Sequence, residues 1–184
     1  MLVLVELQTI VCIVESEVRP LAAGGRLKEA EAMRLLRGAA LLCTFLALLP
    51  SAAHLFELHG KAALDPATYF AVQSIYAGWA WFAVAVVLAL LLNGWLGIRL
   101  LRRDCVAGTS ALLSSALIAA SLVIFFTAVF PANRLTRNWT FPAAGWQQMR
   151  GSWEHGHALS AILLMVALLL TIVAALRWPE ATSD

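Results

Sequence analysis

Charged residues are scarce in this sequence. Asp, Glu, Lys and Arg make up 13% of its 184 residues, whereas a soluble domain carries about 25%. Hydrophobic residues reach 61%, and a chain with this balance needs lipid around it, which excludes an ordinary soluble domain. The net charge of +2 is too small to indicate a nucleic-acid partner.

The sequence also lacks the short motifs of several enzyme classes. Its three cysteines, Cys12, Cys43 and Cys105, form no C-x-x-C pair, which argues against a thiol redox enzyme. There is no glycine-rich phosphate-binding motif and no G-x-S-x-G motif, so nucleotide-dependent chemistry and a hydrolase elbow have no support. Linkers rich in proline, serine or charge are missing as well, so we expect a single domain.

Four long apolar stretches are what the sequence does contain. They cover residues 35–55, 70–92, 107–129 and 158–176. Each has roughly the 20 residues that a helix needs to cross a hydrocarbon core. Because backbone groups inside a bilayer must bond within their own segment, the runs predict helices. The expected fold is all-α, a membrane-embedded four-helix bundle over residues 34–178 with a short tail at 179–184.

Prolines and tryptophans predict where these helices begin and end. Asp65 and Pro66 form an N-cap and first-turn pair for the second helix. Pro131 is expected to end the third helix, and Pro50 to kink the first. Pro142 is expected to open a short helix that lies in the membrane interface. Tryptophans predict the two boundaries: Trp95 and Trp178 at one, and Trp139, Trp146 and Trp153 at the other.

Basic residues predict the orientation. One side of the membrane receives Arg26, Lys28, Arg34, Arg37, Arg99, Arg102, Arg103 and Arg177, and the other receives Lys61, Arg134, Arg137 and Arg150. The richer side is expected to be cytoplasmic. We therefore predict a multi-pass protein of the cell inner (plasma) membrane with both termini in the cytoplasm.

Residues 1–33 do not fit the pattern of a span. Their apolar run is interrupted by Glu6 and is too short to cross the bilayer, and it has no basic start or clear cleavage site. Met33, by contrast, directly precedes a basic flank and the first span. We expect translation to start at Met33, with the upstream residues either untranslated or a disordered extension.

Two histidine–carboxylate pairs are the strongest candidates for chemistry. His54 and Glu57 close the first predicted span, and Glu154 and His157 open the fourth. Residues three apart share one face of a helix, so the two pairs are expected to meet at one membrane level. They could bind Fe, Cu or Zn, or act as an acid/base cluster without a cofactor. The alternative is a set of solvated groups at helix ends.

Other polar side chains are expected at the same level. The supporting set consists of Tyr69, Gln73 and Tyr76 on the second helix, Asn133 after the third, and Arg150 and Trp153 before the fourth. Tyr69, Gln73 and Tyr76 are spaced as one helical stripe. All are predicted to contact the substrate or to support the two pairs.

The residues of this level resemble a known group of proteins. His54-Leu-Phe-Glu57 with Lys61, the run from Tyr69 to Trp79, Phe130-Pro-Ala-Asn133, and Trp153-Glu154 with His157 are similar to small bacterial four-span membrane proteins of unknown function. Those proteins are distantly similar to the anthrone oxygenase family. The resemblance implies a membrane oxidoreductase of the oxygenase type, with Asn133, Trp153, Glu154 and His157 at its site.

The function predicted from these observations is oxidation of a hydrophobic small molecule at a His/Glu site near the outer membrane face. The alternative is a non-catalytic subunit that packs in a larger membrane complex. Expected partners are the lipid bilayer, the small molecule, and either a second copy of the chain or that complex. A transporter is less favoured, because the sequence has no convincing internal repeat.

Overall fold

The computed structural model describes the backbone of residues 2–177 and the side chains of residue 25 and residues 28–177. The chain divides into two units, Met1–Leu36 and Arg37–Asp184, and the candidate site lies in the second. The predicted tail at 179–184 lies outside the described residues. A start of translation at Met33 stays a prediction, and helix α1 begins at Leu2.

Six α-helices make up the described part of the chain: α1 (Leu2–Ala62), α2 (Pro66–Gln73), α3 (Phe82–Leu101), α4 (Cys105–Ile124), α5 (Phe130–Leu135) and α6 (Trp146–Leu176). Two 3-10 turns, Ser74–Tyr76 and Trp79–Trp81, connect α2 to α3, and a π-helical segment, Phe125–Val129, connects α4 to α5. The described residues contain no β-strand. The predicted all-α fold is confirmed.

Within the part of the chain that the structure describes, four helical stretches are long and apolar enough to cross a membrane: Lys28–Ala62, Trp79–Leu101, Cys105–Leu135 and Trp146–Leu176. Large apolar side chains such as Leu91, Phe126 and Leu169 are exposed on their outer sides. Lipid contact accounts for that exposure, since the same side chains in water would be an aggregation hazard. The predicted multi-pass membrane protein is confirmed at this level.

The predicted start of the second helix is confirmed, and a second span is present, but its predicted bounds of 70–92 are wrong. The Asp65 carboxylate caps α2 by accepting hydrogen bonds from the Ala67 and Thr68 amides at 3.0 and 3.2 Å. Hydrogen bonds from Thr68 hold the pKa of Asp65 below its usual value. Helix α2 then stops at Gln73, and the span itself begins at Trp79. Gly78 has a φ of 86°, a left-handed conformation that ends one helical path and starts another.

The predicted end of the third helix is also wrong. The helical path continues through Pro131 to Leu135. Pro131 lies in the first turn of α5, where its missing N–H costs no hydrogen bond. The π-helical segment before it accommodates the ring, and Thr127 donates its hydroxyl to the Val123 carbonyl at 2.8 Å.

Helix α1 extends past the predicted end of the first span. It runs unbroken through Pro50 and ends at Ala62, so His54 and Glu57 lie inside it and Lys61 lies in its last turn. Whether the helix axis bends at Pro50 stays a prediction. The candidate residues of α1 are therefore held on a regular helix rather than on a frayed end.

The interfacial helix predicted from Pro142 is absent from the described residues. Trp146 instead begins α6, which continues through Glu154 and the whole fourth span. Trp139, Trp146 and Trp153 are 5%, 7% and 4% exposed, so their side chains pack inside the protein, and the membrane boundary predicted from them stays a prediction. They surround Tyr69, which is fully buried. Packing these indoles inside the protein is favourable because each removes a large apolar area from water.

The four spans share an apolar core and a polar network. The core is formed by Ala47, Leu48, Ala89, Ile118, Leu164 and Ala167. In the network, Asn93 of α3 donates to Thr44 Oγ1 of α1 at 2.9 Å and accepts from Thr171 Oγ1 of α6 at 2.8 Å. The Ser114 hydroxyl of α4 lies 2.8 Å from the Thr171 hydroxyl. Each span thus contributes one fully buried hydrogen-bonding side chain.

Two glycines allow α3 and α4 to approach closely. A Cβ atom at Gly108 would lie 2.4 Å from the Leu101 Cα, and one at Gly97 would lie 2.6 Å from the Leu112 Cγ. Small residues at helix crossings let backbones come into van der Waals contact, which is a main source of stability in lipid.

The orientation of the termini stays a prediction that reporter fusions can check. A reporter that is active only outside the cell should be active after Arg137 and inactive after Asp104, because basic residues are richer on the Asp104 side. Fusions after both residues in the full-length sequence would be compared for activity and for amount. External activity at Asp104 would contradict the predicted topology.

Candidate functional site

Helices α1 and α6 bring the two predicted pairs together. His54, Glu57 and Lys61 follow one face of α1, and Glu154 and His157 follow one face of α6. The imidazole rings of His54 and His157 have centroids 4.2 Å apart. The five residues are called the Lys61 cluster below.

The ammonium of Lys61 lies at the centre of the cluster. Its Nζ atom is 3.3 Å from His54 Nδ1 and 3.2 Å from Glu154 Oε2. It is also 3.5 Å from Glu57 Oε2 and donates to the Tyr76 hydroxyl at 3.2 Å. Both carboxylates of the site therefore share one cation, which compensates charge that would be costly to bury alone.

Burial differs sharply within the cluster. His54, Lys61 and Glu154 are 3%, 4% and 5% exposed. The Glu57 side chain is 37% exposed. The Lys61–Glu154 pair is thus a buried ion pair, whereas Glu57 lies where solvent or lipid headgroups can screen it.

Two tyrosines hydrogen-bond to the two carboxylates. The Tyr69 hydroxyl donates to Glu154 Oε1 at 2.9 Å, and the Tyr76 hydroxyl donates to Glu57 Oε2. Burial, followed by the charge of Glu154, raises the pKa of Tyr69, and burial raises the pKa of Tyr76. Both hydroxyls therefore stay protonated at neutral pH and act as donors.

Aromatic rings enclose the histidines. His54 makes edge contacts with Tyr76 and Trp153 at centroid distances of 4.4 and 4.7 Å, and His157 contacts Trp153 at 4.5 Å. Lys61 Nζ lies 4.8 Å from the centre of the Trp153 ring, within the range of a cation–π interaction. The aromatic wall, as it is called below, consists of the rings of Tyr76, Trp139 and Trp153. It lowers the local dielectric constant, which strengthens the electrostatic interactions inside.

Asn133 positions this wall. Its Oδ1 atom accepts hydrogen bonds from the Trp139 and Trp153 indoles at 3.1 and 2.9 Å. Residues 137–139 all have left-handed backbone conformations, with a φ of 62° at Trp139. The Trp139 amide is held by the Thr136 hydroxyl at 3.0 Å. Such conformations are strained for residues with side chains and occur often at functional sites.

Arg150 supports the site through the backbone. It donates hydrogen bonds to the Lys61 carbonyl in the last turn of α1 and, at 3.4 Å, to the Leu64 carbonyl just after the helix. Its guanidinium carbon lies 4.0 Å from the centre of the Tyr69 ring. Arg150 therefore ties the last turn of α1, which carries Lys61, to α6.

Gln73 is the supporting residue whose contacts are least complete. Its side chain is 4% exposed, and neither amide atom has a hydrogen bond of normal geometry among the described residues. Tyr69, one turn earlier on α2, lies at the Glu154 end of the cluster. A buried amide without such bonds is costly, so this residue calls for a partner.

An apolar cavity of about 550 Å³ lies beside the aromatic wall. It is lined by Pro66, Ala67, Phe70, Ser74, Asn138, Trp139, Thr140 and Pro142. Trp139 belongs to both the cavity and the wall, since its ring centroid is 5.5 Å from that of Trp153. The cavity does not include the histidines, so Trp139 and Trp153 separate it from the Lys61 cluster.

The predicted metal site does not fit the residues as they are arranged. Within the described residues, no group of three or more His, Cys, Asp or Glu side chains could hold a metal ion. Metal–ligand distances are roughly 2.0 to 2.2 Å, but the Lys61 ammonium lies among the proposed ligands. A metal could bind to these side chains only if Lys61 moved away.

Lys61 is the functional candidate that sequence reasoning missed. The sequence indicates it as a basic residue on one side of the membrane and as part of the family resemblance, but assigns it no role at the site. Its spacing of seven residues from His54 and four from Glu57 was the available signal, because that spacing places all three on one helical face. The other histidines, His59 and His155, are exposed.

Comparisons with protein-family models, with curated proteins and with solved structures give no match, so the resemblance to the anthrone oxygenase family stays a prediction from the residues themselves.

Proposed function

We propose that the protein is a membrane oxidoreductase of the oxygenase type that acts on a hydrophobic small molecule at the Lys61 cluster. The observation that carries the proposal is the pair of contacting imidazoles beside a buried ion pair. Of the four ring nitrogens of the two histidines, Nδ1 of His54 has a hydrogen-bond partner, and the other three have none among the described residues. Imidazoles left available in an enclosed polar cluster are typical of acid/base sites.

Each histidine has a separate role in this proposal. His157 accepts a proton from an acidic C–H or O–H group of the substrate. His54, which accepts a hydrogen bond from Lys61, donates its own N–H to the oxygen on which negative charge develops. The adjacent Lys61 ammonium stabilises that charge.

Molecular oxygen is the oxidant that the family resemblance implies. For a methylene group between aromatic rings, the substrate CH₂ and O₂ give C=O and H₂O. The carbanion left by proton removal supplies the electrons, and the proton held by His157 leaves in the water. The cofactor-free form of this chemistry is the one that the position of Lys61 favours, since the metal-dependent form requires Lys61 to move.

The substrate is expected to be lipid-soluble and aromatic. The apolar cavity has a volume within the range of about 300 to 1,000 Å³ that small-molecule sites occupy, and a substrate bound there reaches His157 when the Trp139 and Trp153 side chains move aside. Phe70 and Trp139 offer flat ring surfaces on its wall.

Oxygen uptake tests the proposal. Protein in lipid nanodiscs would be supplied with a panel of lipid-soluble polycyclic phenols and methylene compounds in air, with uptake followed by an electrode and products by mass spectrometry. We expect His157→Ala to lower kcat by about a hundredfold or more, which is the usual loss of a general base. His155→Ala is the matched control and should keep full activity, because His155 is exposed.

Two results would contradict the proposed enzymatic function. One is equal oxygen uptake by the unaltered protein and His157→Ala. The other is no uptake with any compound together with a membrane protein that copurifies in constant ratio, which would instead support a non-catalytic subunit.

A further inference from the structure

The arrangement around Lys61 has the form of a coordination sphere. Its ammonium is surrounded by one imidazole nitrogen, two carboxylate oxygens and one phenolic oxygen. The side chains come from α1, from the turn Ser74–Tyr76 and from α6. Imidazole and carboxylate are also the ligands that transition metals take, but here the distances of 3.2 to 3.5 Å are those of hydrogen bonds and ion pairs.

We propose that the Lys61 ammonium takes the place of a metal ion in this cluster and holds His54 in the tautomer that carries its proton on Nε2. This deepens the proposed function, on which the catalytic use of His54 rests. The measurements that test it need no substrate. A protein without oxygenase activity would therefore contradict the proposed function and leave this proposal to its own tests.

The charges of the cluster favour a permanent cation. Glu57 and Glu154 bring two negative charges to one side of the His54 ring, and Lys61 is the cation that lies within 4 Å of both. Lys61 is itself only 4% exposed, and a buried lysine requires paired carboxylates to remain charged. A divalent ion placed among the same ligands would meet the ammonium at close range, so the two cations exclude each other.

The tautomer of His54 follows from the same contact. An ammonium has donors and no lone pair, so Lys61 can approach Nδ1 at 3.3 Å only when that nitrogen is the acceptor. Neutral His54 then carries its proton on Nε2. The groups that face His54 are Glu57, Lys61, Tyr76, Trp79, Trp153 and His157. Of these, Lys61 is the one that hydrogen-bonds to the ring, which makes it the positioning residue for His54.

Metal analysis is the first test. Protein purified without chelators and without a histidine tag would be dialysed against Zn²⁺ or Cu²⁺ and washed, and its metal content measured by mass spectrometry. We expect no stoichiometric metal in the unaltered protein. We expect the metal content to rise in Lys61→Ala, because the imidazole, the two carboxylates and the phenol around Lys61 then lose their cation. Stoichiometric metal in the unaltered protein that is lost in both His54→Ala and His157→Ala would overturn the proposal.

Nitrogen NMR of the histidine rings is the second test. In ¹⁵N-histidine-labelled protein, the His54 signals are identified by their absence from His54→Gln. We expect the proton of neutral His54 on Nε2, in the unaltered protein and in Lys61→Arg. In Lys61→Met the ratio of the Nε2-protonated tautomer to the Nδ1-protonated tautomer should fall by roughly tenfold or more, because a hydrogen bond to a charged group is lost.

The outcomes separate a positioning role from a merely structural one. A structural role alone would leave the tautomer ratio of folded Lys61→Met unchanged, and that result would overturn the proposal. If Lys61→Met does not fold, the unaltered protein and Lys61→Arg decide the question. The proton on Nε2 in both supports the proposal, and the proton on Nδ1 in either overturns it.

Discussion

Glu154→Gln should lower the free energy of unfolding by about 3 kcal/mol or more, which is the usual cost of breaking one side of a buried ion pair. The substitution keeps an oxygen that can accept from Tyr69, so the loss reports the charge rather than the hydrogen bond. Lys61 would remain buried, with the half-exposed Glu57 as its carboxylate partner. Reversible unfolding by SDS in mixed micelles measures the change.

Glu57→Gln is the matched control. It removes the same charge from the same lysine, but its side chain is 37% exposed. We expect a loss of about 1 kcal/mol or less, as for exposed ion pairs. The double variant Glu154→Gln/Lys61→Met should recover part of the stability, because no buried charge is then left without its partner and Glu57, which loses Lys61, is partly exposed. Equal losses in the two glutamine variants would contradict the buried pair.

Gly108→Ala is the second change with a large expected effect. The added methyl carbon would lie 2.4 Å from the Leu101 Cα and 2.5 Å from the Leu101 nitrogen. Both are backbone atoms, so the turn between α3 and α4 must shift to make room. We expect a loss of about 2 to 3 kcal/mol in the same unfolding assay, at the upper end of the cost of overpacking.

Gly94→Ala tests whether that loss comes from the crossing rather than from the loss of a glycine. Gly94 lies on the same helix pair, and its added carbon would be 3.4 Å from the Ser115 hydroxyl, an ordinary contact. The variant should stay within about 0.5 kcal/mol of the unaltered protein. A Gly108→Ala protein as stable as Gly94→Ala would show that α3 and α4 are farther apart than described.

The number and type of the spans could be predicted because lipid imposes a simple rule on sequence. Runs of about 20 apolar residues must be helices in a bilayer, whatever their detailed packing. The Asp65 cap was equally predictable, since it depends on backbone amides only two and three residues farther along the chain. The ends of the helices were not, because a π-helical segment continues the helical path through Pro131 and Trp146 packs against the distant Tyr69, and local sequence shows neither.

The meeting of His54 with His157 could be predicted from spacing, but the centre of the site could not. Helical periodicity indicates which residues share a face, and it placed Lys61 there as well. What it does not indicate is whether a lysine beside carboxylates points outward into solvent or inward. That choice depends on Trp153 and Tyr76, which surround the ammonium and come from distant parts of the chain.

The polar network described among the four spans has a consequence for biosynthesis. When the ribosome has released α1, α3 and α4, Asn93 can already donate to Thr44, but its carbonyl oxygen has no Thr171 to accept from. Lys61 and Tyr69 likewise lack Glu154 until α6 has been inserted. Helix α6 leaves the insertion machinery after these elements and therefore satisfies buried groups on α1, α2 and α3, and a chain arrested before α6 leaves those groups without these partners.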